Sequence, residues 1–216
     1  MGGGAVESPL CEVAKSDGIR LIETLLWNGA QFPRLPGHMA RLRQGAGVLG
    51  FPVDRAAVVA ALQAAVGPAP ARVRLTLGAA GDVAVTTADL PPARTEWRVG
   101  LADVRLSSTD PWLAVKSTRR AQYDAARAGL APDLDEVIFL NERDEVCDGT
   151  ITTVFFDRGN GLRTPPRASG LLPGVLRAEL LATGLCREEV LNRHDLGHVR
   201  LWVGNALRGR MRAVFE

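Results

Sequence analysis

Short segments in which apolar residues alternate with others, separated by glycine- or proline-containing turns, are the feature that most constrains this fold. The clearest pair is Arg72–Leu77 and Asp82–Thr87, which are joined by a glycine-rich link and are typical of a β-hairpin. Further strand-like segments are found at 20–26, 31–35, 97–106, 136–140, 145–147, 152–157 and 200–203. Amphipathic helices are predicted at 38–49, 55–66, 117–130 and 175–183. Antiparallel strands with interspersed helices predict an α+β fold.

The length and charge of the chain limit its domain organisation and its partners. A chain of 216 residues can form one large domain or two small ones. We predict a disordered lead-in over 1–11, a small α+β domain over 12–106 and a larger domain over 107–216. The formal charge is only +2, from 26 basic and 24 acidic residues, so the overall charge favours neither nucleic acid nor membrane as a partner.

The apolar runs and the cysteines predict a cytoplasmic protein. No run reaches the ~18 apolar residues of a membrane-spanning helix, and the first residues lack the basic and apolar regions of a signal peptide. Cys11, Cys147 and Cys186 are widely spaced, which argues against a disulfide framework or a structural zinc site. His194 and His198 are four residues apart without an evident third ligand, so we predict no metal site.

Two side chains could carry chemistry, although each has a commoner structural interpretation. Lys116 follows an apolar, strand-like run at 111–115, where partial burial would lower the pKa of its amine and make it a nucleophile or base. A lysine that simply extends its amine into water is the commoner case. Asp148 lies in a strand–turn context and could pair with a protonated ring nitrogen, or could bond to its own backbone in a turn.

Backbone N–H groups at two places could bind a phosphate group. Leu171–Val175 leads into a predicted helix, and N–H groups at a helix start, aided by the helix dipole, bind phosphate. Gly204–Ala206 offers a second set of N–H groups after a predicted strand. Most such junctions bind nothing, and Arg41, on the polar side of its predicted helix, is by default a solvated arginine.

Taken together and in order, these motifs resemble the class IV (fold-type IV) enzymes that use pyridoxal 5′-phosphate (PLP). The series covers the chain from about residue 18 to its last residues and comprises RLIETLL (20–26), HMARL (38–42), KST (116–118), DEVIFLN (135–141), EVCDGTITTVF (145–155), LPGVLR (172–177) and GNAL (204–207). The family includes branched-chain and D-amino-acid aminotransferases and 4-amino-4-deoxychorismate lyases. The resemblance implies a small N-terminal α+β domain, a larger and mostly antiparallel β/α domain, a homodimer and a small-molecule amino substrate.

The resemblance also implies a role for each matching residue. Lys116 would form the Schiff base with PLP and would move the proton at the substrate Cα. Asp148 stands where the family has an acidic partner of the ring nitrogen, usually glutamate. The side chain of Arg41 would bind the cofactor phosphate. Backbone N–H groups would complete the phosphate site, from Val175, Leu176, Asn205 and Ala206.

The sequence leaves the reaction open. Gly204–Leu207 and the compact length favour a 4-amino-4-deoxychorismate lyase, which would release pyruvate and 4-aminobenzoate for folate. An amino-acid aminotransferase, for branched-chain or D-amino acids, is the alternative, because the arginine that lyase-like members place before Gly78 is absent. A non-catalytic relative that binds a ligand or partner is a further alternative, favoured by a shortened N-terminal segment and by Thr153 in place of a common asparagine.

Overall fold

The computed structural model describes residues 9–216, and these residues form two compact units. The first unit comprises the described residues up to Leu90 together with Val115–Arg119. The second comprises Pro91–Ala114 and Arg120–Glu216. No helix among the described residues is long and apolar enough to cross a membrane.

The first unit is an antiparallel sheet with helices packed on it. Its strands, in the spatial order β1-β2-β3, are β1 (Leu21–Trp27), β2 (Ala71–Leu77) and β3 (Val83–Ala88). Its helices are α1 (Pro9–Ser16), α2 (Leu35–Leu49) and α3 (Arg55–Ala64). Helix α2 packs on β1 and α3 packs on β3. The hairpin predicted from the alternation is confirmed, because β2 and β3 pair antiparallel.

Two predictions for this unit are wrong. The predicted strand over 31–35 is a turn that leads into α2, because β1 pairs along its whole length with β2 instead. The predicted disordered lead-in over 1–11 ends too late: residues 9–11 begin α1, which Cys11 and Ala14 anchor by burial. Residues 1–8 lie outside the described part of the chain.

The second unit is built on a closed ring of strands. In chain order its strands are β4 (Glu96–Leu101), β5 (Glu136–Leu140), β6 (Val146–Gly149), β7 (Thr153–Asp157), β8 (Arg163–Thr164), β9 (Arg187–Glu188), β10 (Arg200–Asn205) and β11 (Gly209–Phe215). The pairing order β10-β11-β4-β5-β6-β7 closes on itself because β7 also pairs with β10. Its core contains buried apolar side chains from all six strands, among them Val99, Ile138, Val146, Val154, Val203 and Met211.

The helices of the second unit are α4 (Ala121–Ala128) and α5 (Val175–Ala182), and short 3₁₀ helices span Pro111–Ala114, Arg167–Ser169 and Arg193–His198. The apolar run before Lys116 is therefore helical and not the strand-like segment predicted. The physical reason is Asp110, whose carboxylate accepts the Trp112 N–H (2.9 Å) and whose carbonyl accepts the Leu113 N–H (3.2 Å). Such local bonds compete with strand pairing.

The units divide the chain at other places than the predicted boundary between residues 106 and 107. Strand β4 belongs to the second unit because it pairs in parallel with both β5 and β11. Val115–Arg119 belongs to the first unit because it pairs with the start of β1.

Candidate active site

A buried cluster of charged side chains lies between β1 and α2 in the first unit. Glu23 is 2% exposed, and its carboxylate accepts bonds from Nε (2.9 Å) and Nη2 (2.5 Å) of Arg41. The Nδ1 of His38 lies 2.6 Å from the same carboxylate. Arg41 therefore does not project into solvent; its side chain is only 11% exposed.

The charge of Glu23 is stabilised by its neighbours. Burial alone would raise the pKa of Glu23, but the positive charge of Arg41 and the hydrogen bonds from Arg41 and His38 outweigh burial, so the pKa lies below its ordinary value. The carboxylate thus stays ionised and holds one edge of the Arg41 guanidinium in a fixed, bidentate geometry.

We expect Glu23→Gln to destabilise the first unit by about 3 kcal/mol or more, because a buried cation would lose its counter-charge. A group with a lowered folded-state pKa stabilises the protein above its ordinary pKa, here 4.5, and this contribution is lost as the pH falls. The free energy of unfolding, measured by urea titration from neutral pH downward, should therefore fall more steeply below pH 4.5 in the wild type than in Glu23→Gln. Exposed Glu12→Gln is the control; equal slopes in the wild type and Glu23→Gln would contradict this role of Glu23.

Lys116 is held in the first unit by backbone pairing with β1. The Ile22 N–H donates to the Lys116 carbonyl (2.8 Å), and Ser117 forms an antiparallel bridge with Leu21. Lys116 is itself half-buried. Lys116 and Arg41 thus bond to neighbouring residues of β1. The backbone of Lys116 pairs with Ile22, and the side chain of Arg41 binds Glu23.

In the second unit, Asp148 belongs to a row of residues that crosses three strands. Asp148 on β6 is opposite Thr153 on β7, and Thr153 is opposite Gly204 on β10. Asp148 is 5% exposed, and its Oδ2 accepts the N–H of Leu172 (3.1 Å). The carboxylate is therefore buried and is oriented by the loop that leads into α5.

The start of α5 packs directly on this row. Helix α5 begins after Gly174, an N-cap residue that has no side chain to cap the first N–H groups of the helix. A Cβ placed on Gly174 would lie 2.6 Å from Oγ1 of Thr153, and one on Gly204 would lie 3.1 Å from Cδ2 of Leu176. The short side chain of Thr153 therefore sits beneath the helix start, at the position where the family commonly has asparagine.

The β10–β11 turn is shaped by the side chain of Asn205. Its Oδ1 accepts the N–H groups of Leu207 (3.1 Å) and Arg208 (3.0 Å), and its Nδ2 donates to the Ile151 carbonyl (3.2 Å). Three segments that contain predicted site residues therefore lie together in the second unit. They are Asp148 on β6, the first residues of α5, and the turn at Asn205 and Ala206.

We expect Gly204→Ala to destabilise the second unit by about 1–3 kcal/mol, because an added Cβ would lie 2.6 Å from the Gly209 carbonyl oxygen of the paired strand. Thermal unfolding measures the effect. Gly197→Ala is the matched control, since a Cβ there meets nothing within 4 Å. Equal stability of the two variants would show that the strands separate readily at this point.

Tyr123 on α4 is a further polar group near Asp148 that sequence reasoning missed. Within residues 9–216 its hydroxyl is buried and has no hydrogen-bond partner. Burial, and then the negative charge of Asp148, raise the pKa of Tyr123, so the hydroxyl remains a donor. Its ring packs against Phe139 at 4.9 Å between centroids. The signal available in the sequence was that Tyr123 is its only tyrosine.

Comparisons with known proteins support the resemblance found in the motifs. The family model for class IV amino-transferases matches residues 20–214. A putative amino-acid aminotransferase from Mesorhizobium loti is 40% identical, with 92% of this chain and 100% of that chain covered and a TM-score of 0.88. No curated protein matches the chain.

More distant solved structures share the fold alone. A 4-amino-4-deoxychorismate lyase from Pseudomonas aeruginosa is 22% identical, with 100% of this chain and 88% of that chain covered and a TM-score of 0.79. The PLP-bound form of a hypothetical aminotransferase from Mycobacterium tuberculosis is also 22% identical, with 100% and 86% covered and a TM-score of 0.75. These matches confirm the predicted α+β fold of type IV. The chain belongs to the class IV amino-transferase family, whose members are PLP-dependent aminotransferases and lyases.

Proposed function

We propose that this protein binds PLP and acts as a 4-amino-4-deoxychorismate lyase. The observation that carries the cofactor assignment is the row of Asp148, Thr153 and Gly204 beneath the start of α5. This arrangement combines a buried carboxylate with a helix start whose N-cap residue, Gly174, has no side chain.

The chemistry of these groups fits the cofactor. A pyridinium nitrogen needs an anionic partner, and Asp148 is a buried carboxylate whose Oδ2 is already oriented by Leu172. A phosphate group suits the N–H groups and dipole of a helix start, which Val175 and Leu176 supply here. The buried Tyr123 hydroxyl, which has no partner within residues 9–216, adds a donor for a polar ring substituent.

Each residue would then have a defined task. PLP, when bound, supplies the electron sink for carbanion chemistry. Lys116 would attach the cofactor through Nζ and move the proton at the substrate Cα, and Asp148 would keep the ring nitrogen protonated. The phosphate would be held by the side chain of Arg41, which Glu23 orients, and by backbone N–H groups of Val175, Leu176, Asn205 and Ala206.

The GNAL segment at 204–207 supports lyase chemistry. A second candidate is an amino-acid aminotransferase that acts on a branched-chain or D-amino acid. It is favoured by the 40% identity to a putative amino-acid aminotransferase and by the absence of an arginine at 76–77. We further propose a homodimer in the cytoplasm, as the family resemblance implies.

Purified protein incubated with PLP and freed of excess cofactor tests the proposal. A PLP absorbance band that borohydride reduction converts into a pyridoxyl group on Lys116, located by peptide mass spectrometry, would support the cofactor assignment. Release of pyruvate and 4-aminobenzoate from 4-amino-4-deoxychorismate would identify the lyase. Amino transfer to a 2-oxo acid without that release would favour the second candidate, and absence of PLP binding would reject both in favour of a non-catalytic relative.

A further inference from the structure

Glu136 at the start of β5 is a buried carboxylate outside the group of residues that would hold the cofactor. It is 0% exposed, and both oxygens accept hydrogen bonds from the turn between β6 and β7. Oε1 accepts the N–H (3.0 Å) and the hydroxyl (2.5 Å) of Thr150. Oε2 accepts the N–H of Ile151 (3.2 Å) and the hydroxyl of Thr152 (2.9 Å).

The turn over 149–152 is folded around this carboxylate. A Cβ on Gly149 would lie 2.9 Å from Cδ of Glu136 and 2.5 Å from Oγ1 of Thr152, so the backbone approaches as closely as glycine allows. A buried carboxylate is tolerated only when its lone pairs are satisfied. Here four of the six donors come from one turn, and the other two are Nη1 of Arg127 (3.4 Å) and the Val137 N–H (3.1 Å).

The same turn connects two parts of the site. Asp148 immediately precedes it on β6. At its far side, the Ile151 carbonyl accepts the bond from Nδ2 of Asn205, whose Oδ1 in turn shapes the β10–β11 turn through Leu207 and Arg208. A chain of hydrogen bonds therefore runs from Glu136 through Ile151 to Asn205.

We infer that Glu136 is a positioning residue, whose carboxylate fixes the 149–152 turn and through it the Asn205–Ala206 backbone that receives a phosphate group. The inference rests on the proposed function, in which that backbone binds the cofactor phosphate. Glu136 acts on Asn205 through the turn, because its carboxylate bonds to Thr150, Ile151 and Thr152 and only the Ile151 carbonyl bonds to Asn205.

The test is the dissociation constant for pyridoxal divided by that for PLP. This ratio measures how much the phosphate group contributes to binding, and it does not depend on turnover. We expect Glu136→Gln to lower this ratio about tenfold, since an amide cannot accept all the bonds that the carboxylate accepts. Thr152→Val should lower the ratio in the same direction, and Thr152→Ser, which keeps the hydroxyl, should preserve it. Asn205→Ala combined with Glu136→Gln should lower the ratio no further than Asn205→Ala alone, if Glu136 acts through Asn205.

Thr164→Val is the matched control for lost stability. Thr164 is 0% exposed and its hydroxyl donates to the Val154 carbonyl (2.8 Å) in the same unit, away from the turn. We expect Thr164→Val to keep the wild-type ratio. If Glu136→Gln also keeps that ratio while its melting temperature falls, Glu136 is a purely structural residue and the inference is overturned. If Glu136→Gln does not fold, the comparison of Thr152→Val with Thr152→Ser is the test, and an equal ratio in these two variants would overturn the inference. Wild-type protein that does not bind PLP would instead overturn the proposed function, and this inference with it.

Discussion

Lys116→Ala is expected to lower kcat by at least about 10³-fold, the largest effect of any single change considered for this protein, because it removes the amine that would move the proton at the substrate Cα. The folded structure should be little affected. The segment is held by backbone bonds, between the Lys116 carbonyl and the Ile22 N–H and between the Thr118 N–H and the Arg20 carbonyl, and alanine keeps these bonds. Steady-state kinetics with saturating PLP and a thermal melt measure both quantities.

Lys116→Arg is the matched control, because it keeps a positive charge and a long side chain but presents no amine that can give up its proton. It should be as inactive as Lys116→Ala. If the arginine variant retained activity, Lys116 would act only through its charge, and another group would have to be the base.

Asp148→Asn is expected to lower kcat by about 10²- to 10³-fold, in the range of effects from a single preorganised electrostatic partner. Asparagine keeps an oxygen that can accept the Leu172 N–H, so the loop before α5 should stay in place. What it loses is the charge that would keep the ring nitrogen protonated. The PLP absorbance spectrum and kcat should therefore both change, while the melting temperature changes little.

Asp148→Glu is the informative companion, since the family usually has glutamate at this position. We expect it to retain far more activity than Asp148→Asn, because it restores the charge with one additional methylene group. A glutamate variant as slow as the asparagine variant would mean that the distance from β6 to the ring matters more than the charge.

Local sequence patterns predicted those elements whose partners are near in the chain. The β2–β3 hairpin has alternating residues and a short glycine link, and α3 is capped locally by the carboxylate of Asp54. The predicted strand over 31–35 is wrong because the partner of β1 is β2, more than forty residues further along. Pairing at that distance leaves no local signal, and neither does the parallel pairing of β4 with β11.

The candidate site follows the same division. Lys116, Arg41 and Asp148 could be selected because their motifs occur in a recognisable order. Glu23 and Glu136 could not be selected from the sequence, although each is an acidic residue in an apolar strand. Their roles depend on the residues that pack against them in the folded protein. Arg41 was expected to be solvated, and only the packing of α2 on β1 reveals its buried carboxylate partner.

The closed ring of the second unit has a consequence for synthesis on the ribosome. Strand β11 is the last of the ring strands along the chain, yet it lies between β4, the first of them, and β10. Until Phe215 has left the exit tunnel, β4 therefore exposes one edge of unpaired backbone groups, and β10 does the same. The strands and helices of the first unit between β1 and β3 emerge earlier. Between the emergence of β4 and that of β11, the nascent chain therefore carries an incomplete second unit with an open strand edge, a natural binding surface for chaperones.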